Sequence, residues 1–268
     1  MIKIPCLKYF LLPLLLLTVD RAWAQVVPLP GAHAHNDYKH NRPLLDAVAH
    51  GFTSIEVDIL LIDGEIYVGH DMPTGAHSLP TLTDAYLQPL DSIIRQNGGN
   101  LYPNFEQPCY LMIDIKTEAE KTFSLLREQL LPYASWIRKY ENGKTGKGAI
   151  VIFLSGNRPY KAVLSDPKGL VSLDGRPADL GKGYGSHQMP VISQAFYRYS
   201  KWDGEEQMPK ADQQRISDLA GKVHREHKKF RLWATPDSEK AWETLQSLGV
   251  DLINTDDLGG LKAYLLKE

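Results

Sequence analysis

The feature that most constrains this 268-residue chain is an alternation: eight apolar runs of strand length, with helical patterns between most of them. The runs fall at 29–33, 54–59, 110–115, 149–154, 169–173, 189–193, 230–234 and 251–254. Helical patterns lie at 43–50, 82–96, 118–131, 211–228, 237–248 and 258–266. Short, near-continuously apolar strands are those of a parallel sheet covered by helices on its faces. Eight such units predict a single-domain α/β protein, a (β/α)8 barrel. A doubly wound open sheet is the competing architecture, but no glycine-rich phosphate turn follows the first strand.

Two segments interrupt the alternation. Leu61 to Val68 reads as a hairpin around Asp63-Gly64, a turn pair between short apolar runs. It returns His70 to the edge that carries Glu56 and Asp58. The stretch 71–109, with five prolines and three glycines, reads as a lid or wall over that edge rather than a separate domain. A second variable stretch, rich in glycine and proline, is 155–188.

Residues 1–24 do not belong to the barrel. Lys3 and Lys8 precede an 11-residue apolar run, Tyr9 to Val19, and Ala22-Trp23-Ala24 is a small-x-small cleavage site before Gln25. That run is shorter than the roughly 20 helical residues a bilayer demands. The expectation is a secretory signal on an exported protein, periplasmic or secreted, with the domain at 25–268. An uncleaved N-terminal anchor is the alternative. Cys6 lies before the apolar run, which excludes a lipidated cleavage site. Without the leader, 27 basic face 31 acidic residues, which excludes the strongly basic footprint of a nucleic-acid binder. Cys109 is then the single cysteine, so no internal disulfide forms, and its apolar surroundings make it a small buried hydrophobe.

The chemistry-bearing residues gather at strand ends. The first strand runs into His33-Ala34-His35-Asn36, the second carries Glu56-Val57-Asp58, and Gly69-His70-Asp71 follows the hairpin. The third ends in Asp114-Ile115-Lys116, the seventh in Trp233. Reactive groups of a barrel lie at the carboxyl ends of its strands. Carboxylates at i and i+2 point the same way; side by side they repel and lose hydration, and a hard divalent cation relieves both costs. Oxygen ligands fit Ca2+ or Mg2+; zinc would call for more nitrogen or sulfur. Phosphodiester cleavage needs a base and an acid, and histidine serves as either near neutral pH. Spacing alone leaves His33 and His35 open as the base, since both face the same way, with His70 from another strand as the partner. Lys116 shares a face with Asp114 and is placed to neutralise developing charge. Trp233 reads as a pocket wall, and Arg158, Asp174 and Arg176 as weaker candidates for a substrate head group.

Together, His35-Asn36, Glu56-x-Asp58, His70-Asp71 and Asp114-x-Lys116 resemble the phosphatidylinositol-phospholipase-C-like phosphodiesterase superfamily. Leu232-Trp233-Ala234-Thr235 and the segment 248–257 are similar to the strand-seven and closing-strand segments of its glycerophosphodiester phosphodiesterase branch. The chain is also similar overall to the altered-inheritance-of-mitochondria-6-like group. The resemblance spans roughly 31–264. It implies a distorted TIM barrel and a metal-dependent phosphodiesterase. His35 and His70 take the two histidine roles, and Glu56, Asp58 and Asp114 bind Ca2+ or Mg2+; from their own places at the strand ends, His33 and Trp233 are expected at the substrate. The chain departs from the glycerophosphodiester branch, which has His-Arg-Gly on strand one and a Pro-Glu-Asn-Thr segment. Its His35-Asn36 pair is closer to the phospholipase C branch, where the asparagine is a metal ligand. The partner expected is a small-molecule or lipid phosphodiester, with membrane contact only for a lipid. A non-catalytic binding module on the same barrel, and a phospholipase D or sphingomyelinase-like lyase, are the alternatives.

Overall fold

The computed structural model describes residues 26–74, 79–141 and 144–267. The leader at 1–24, and with it the expected signal, lies outside the described residues. In chain order the elements begin β1 (Leu29–Ala34), α1 (Leu45–Ala49), β2 (Phe52–Ile62), β3 (Glu65–Val68), α2 (Gln88–Gln96), β4 (Cys109–Ile115) and α3 (Ala119–Leu130). They continue with β5 (Tyr140–Glu141), β6 (Lys144–Thr145), β7 (Ile150–Gly156), α4 (Tyr160–Ser165), β8 (Ser172–Gly175) and β9 (Val191–Ala195). The chain closes with α5 (Lys210–Arg225), β10 (Lys229–Trp233), α6 (Glu239–Ser247), β11 (Ile253–Thr255) and α7 (Leu258–Leu265).

Eight parallel strands follow one another around a ring in the order β11-β1-β2-β4-β7-β8-β9-β10. A parallel bridge between Arg231 and Leu252 joins the two ends. The result is a nearly closed (β/α)8 barrel in one domain. Side chains alternate along each strand with period two. On β2 and β4 the outward set, Ile55, Val57, Ile59, Ile113 and Ile115, packs with the helices in the main core, against residues such as Leu126, Leu219 and Trp242. The inward set forms a small separate plug of Met112, Phe153, Val191 and Leu252, with Tyr110 against it. Toward the carboxyl ends of the strands the inward positions turn polar, and the site lies there.

The excursion after β2 is the hairpin expected from Asp63-Gly64. Ile62 pairs with Glu65 across a two-residue turn, and both turn residues have positive φ, 48° and 85°, as the mirror-image turn of tight hairpins requires. The stretch 71–109, expected as a lid, is instead mainly the crossover from the hairpin to β4. A π-turn at Thr83–Leu87 runs into α2. Tyr86, Leu87, Leu90 and Ile94 are buried, and the Tyr102 hydroxyl donates to the Phe52 carbonyl at 2.6 Å. An amphipathic helix with that apolar stripe has to cover the barrel wall. The stretch 155–188 holds the short α4, unforeseen from the sequence, and a β8–β9 connection whose one helical element is a single 3-10 turn at Pro177–Asp179. No described helix is long and apolar enough to cross a membrane. Cys109 is buried at the head of β4, and burial pushes its thiol up to about 12.

Candidate active site at the carboxyl end of the barrel

A cavity of about 530 Å3 opens at the carboxyl ends of the strands, and His35, Asn36, Glu56, His70, Asp114, Lys116 and Trp233 all line it. Five strands or the loops that follow them, β1, β2, β3, β4 and β10, bring them together. Lys39, Arg176 and Arg231 line it as well.

The deepest layer is a closed charge network. Arg231, 2% exposed, donates from Nη2 to Glu56 Oε2 at 2.6 Å and from Nε to Asn254 Oδ1 at 2.9 Å. His33 reaches the same Glu56 oxygen through Nε2 at 3.0 Å, and its Nδ1 lies 2.7 Å from the Ser54 hydroxyl. Burial pushes Glu56 up, but the Arg231 charge and the His33 hydrogen bond outweigh it and hold the carboxyl down to about 2. Burial, reinforced by Arg231, lowers His33 to about 4. His33 is therefore neutral: it donates to ionised Glu56 and accepts from Ser54. It was expected at the substrate, but it is wholly buried and does not line the cavity; both ring nitrogens are engaged inside the barrel. Its effect is to position Glu56. Arg231 went unrecognised in the sequence. The available signal was a cation inside an apolar strand, two residues from Trp233 and so on its face.

One layer higher, register sets Asp58 of β2 opposite Asp114 of β4. Lys116 Nζ lies between them, 3.2 Å from Asp58 Oδ2 and 3.3 Å from Asp114 Oδ2. Burial raises both carboxyls despite Lys116, Asp114 to about 6. Gly156, with φ of 65°, leaves room here, since a Cβ would collide with Asp114 Oδ1. Oxygens of Glu56, Asp58 and Asp114 lie within 4.8 Å of one another. Asp58 Oδ1 and Asp114 Oδ1 are buried without a hydrogen-bond partner among the described residues. An all-oxygen set with two unsatisfied anionic acceptors fits a hard divalent cation. Asn36 stands beside this set: the Tyr38 hydroxyl is within reach of both Asn36 Oδ1, at 3.1 Å, and Asp58 Oδ2, at 2.9 Å.

The histidines of the rim are more open. Asn36 takes the left-handed conformation, φ 48° and ψ 40°, which asparagine tolerates, and it turns the chain over the end of β1. The following loop is pinned by buried Asp37, which accepts from the Leu44 amide at 2.5 Å and the Tyr86 hydroxyl at 2.7 Å. His35 Nδ1 pairs with Asp256 at 2.9 Å and His70 Nδ1 with Asp71 at 3.0 Å. Each aspartate accepts Nδ1–H; His35 Nε2 is then an acceptor for the Asn36 amide nitrogen, 3.3 Å away, and His70 Nε2 is left to exchange a proton. Trp233 meets Tyr197 edge to face at 5.8 Å. Arg176 is held at the cavity by Asp174, 2.6 Å away, a carboxylate that also accepts from Ser155 and Ser193. Arg158 does not line the cavity; it bonds the Asp174 carbonyl and lies over Tyr160.

Fold and site thus define a parallel barrel whose polar mouth suits phosphate-ester chemistry. The chain belongs to the AIM6-like phosphodiesterase domain family, whose model matches residues 20–169, more than half of it. A glycerophosphoryl diester phosphodiesterase family model matches residues 229–259. Among relatives, the chain is 27% identical to the altered inheritance of mitochondria protein 6 homolog of Arthroderma benhamiae, over 89% of this chain and 84% of that protein. It is also 27% identical to the altered inheritance of mitochondria protein 6 of Eremothecium gossypii, over 92% and 72%. The crystal structure of a glycerophosphodiester phosphodiesterase from Agrobacterium tumefaciens aligns with a TM-score of 0.49 at 12% identity, over 88% of this chain and 100% of that one. These relatives correct one expectation. Their names refer to the inheritance of mitochondria and not to export, so the reading of a periplasmic or secreted protein does not stand.

Proposed function

We propose that this chain is a divalent-cation-dependent phosphodiesterase acting on a glycerophosphodiester- or phospholipid-type substrate. The observation that carries the reading is the convergence of His35, His70, Lys116, Glu56 and Asp114 on one cavity, with an oxygen of buried Asp58 within 4.8 Å of those of the other two carboxylates. Glu56, Asp58 and Asp114, with Asn36 beside them, are the residues to hold Ca2+ or Mg2+. Such a cation would draw charge from a non-bridging phosphate oxygen. His35 Nε2 takes the proton from the attacking water, or from a substrate hydroxyl next to the phosphoester. The new P–O bond forms as the ester P–O bond breaks. His70, as imidazolium, gives its proton to the leaving alkoxide. Lys116 neutralises charge gathering on the phosphoryl oxygens, Arg176 and Lys39 offer cations to the remainder of the substrate, and Trp233 excludes water on one side.

The test is release of alcohol from bis(p-nitrophenyl) phosphate, from soluble glycerophosphodiesters and from phospholipid vesicles by the purified full chain. Each is assayed with Ca2+, with Mg2+ and with chelator. Release that requires a cation is expected. Full activity under strict chelation would remove the cation from the reaction. A folded, cation-binding protein inactive on every diester would favour a binding module.

A further inference from the structure

The opposite end of the barrel carries a second cavity, of about 390 Å3, at the start of the strands, where Tyr110, Val151, Ser172 and Lys229 face it. The plug of Met112, Phe153, Val191 and Leu252 divides it from the site above. Tyr110 lines the lower cavity and Met112, two residues along β4, the upper one. Residues at this end of a barrel ordinarily serve stability, and a ring of strands closes without a pocket there. Here two excursions build its walls. One is the segment of the β5–β6 hairpin with Arg138, Lys139 and Tyr140; the other is the β8–β9 connection with His187. They are locked together by a ring stack of Tyr140 on His187, centroids 3.6 Å apart and planes at 18°.

The charge in this cavity is one-sided. Four lysines and arginines and two histidines line it against a single carboxylate, Asp251, in a chain whose net charge is −2. Asp251 is already engaged, accepting on Oδ2 from His224 Nε2 and from the Phe230 amide, both at 2.7 Å. Lys139 and Lys228 are paired with Glu141 and Glu226. Arg138 and Lys229 have no carboxylate partner among the described residues. The Arg138 Nε donates to the Gly148 carbonyl at 2.9 Å, which fixes the guanidinium, and Lys229 Nζ lies 5.9 Å from the Tyr110 ring centre. Two uncompensated cations on a partly aromatic floor call for an anion carried on an organic group. The volume lies within the range of small-molecule sites, roughly 300 to 1,000 Å3.

We infer that this cavity binds a small organic phosphate, with Arg138 and Lys229 gripping the phosphate and Tyr110, Tyr140 and Val151 covering the organic part. The site is distinct from the phosphodiesterase pocket and does not depend on that reading. The experiment is a titration of the isotope-labelled full chain with AMP, followed by backbone amide NMR, which separates the two ends of the barrel. Saturable shifts at the amides of Tyr140 and Lys229 are expected, unchanged in His70→Ala. Arg138→Gln and Lys229→Gln should each weaken AMP at this end by about tenfold. Inorganic phosphate should bind more weakly than AMP. Vesicles containing phosphatidic acid that displace AMP would identify a lipid headgroup as the source; vesicles without effect would identify a soluble phosphate. Absence of shifts at this end, binding undiminished in Lys229→Gln, or phosphate binding as tightly as AMP would each overturn the inference. Lys229→Gln decides the matter alone if loss of the Arg138 anchor disturbs folding.

Discussion

Glu56 and Asp58 stand two residues apart on one face of β2, yet their layers treat charge in opposite ways. Around Glu56 the barrel is self-sufficient: Arg231 and His33 hold the carboxyl down to about 2 although it is fully buried. Around Asp58 it is not. Asp58 and Asp114 share one cation, Lys116, and burial pushes both upward, Asp114 to about 6. The difference teaches how a barrel can build a charged site within its own core. The inner layer is neutralised permanently by the fold, which fixes Glu56 in place. The rim keeps surplus negative charge and two unsatisfied oxygens, which only something exchangeable can neutralise.

The largest expected effect breaks the inner layer. Arg231→Met leaves Glu56 buried without its counter-ion and should destabilise the protein by about 3–5 kcal/mol, read from urea unfolding. Adding Glu56→Gln in the same chain should recover much of the loss, because the stranded charge is gone. If Arg231→Met unfolds at the wild-type midpoint, the inner layer is not locked by charge and the contrast fails. At the rim, Asp114→Asn should behave differently. It removes one of three anionic oxygen donors and should weaken cation binding on the order of a hundredfold. The cation-free protein should keep its stability or gain some, since the variant relieves repulsion with Asp58. Calorimetric titration with Ca2+ and Mg2+ checks the first part and thermal unfolding the second.

The two layers also predict opposite responses to pH. Glu56 is depressed from 4.5 to about 2, so its contribution is complete above about 4.5 and is lost as pH falls toward 2. Asp114 is raised from 3.8 to about 6, so its contribution is complete below about 3.8 and is lost as pH rises through 6. Between about pH 4 and pH 6 the cation-free protein should therefore lose stability at Asp114 as pH rises, and Asp114→Asn should flatten that decline. Saturating cation should flatten it too, because a bound cation favours the ionised carboxylate. A decline that survives in Asp114→Asn would assign the titration elsewhere.

Much of this contrast was legible in the sequence, and the part that was not has a physical cause. The eight strands, the Asp63-Gly64 turn and the acidic pair of β2 are local signals: period, turn chemistry and carboxylates out of place in an apolar strand. Depth along the barrel axis is not a local signal. Alternation puts His33 and His35 on the same side, and both do face the axis, but His33 lies inside β1 at the level of Ser54 while His35 emerges past its end. Partnership across the ring is equally silent. Arg231 and Glu56 are 175 positions apart, and only closure of the ring brings β10 across from β2. The helix at 82–96 was visible as a helix, but its place in the outer layer depends on what its apolar stripe covers. The β8 strand, read at 169–173 and found at Ser172–Gly175, shifted because its apolar run begins in the preceding loop.

The smallest expected effect concerns the outermost pair. Asp256 holds His35 Nδ1 at 2.9 Å, but its side chain is 65% exposed and that of His35 30%. Solvent screens such a pair, and exposed ion pairs contribute roughly 0.2–1 kcal/mol. Asp256→Asn should therefore leave the unfolding midpoint nearly unchanged and lower diester turnover by less than about fivefold. Asparagine can still accept from Nδ1–H, so the imidazole keeps its orientation and Nε2 keeps its role. A loss above about a hundredfold would mean that the bound substrate closes this pair off from water. Asp256 would then act on His35 as a buried partner does, and the division between a locked interior and an open rim would hold only for the empty site.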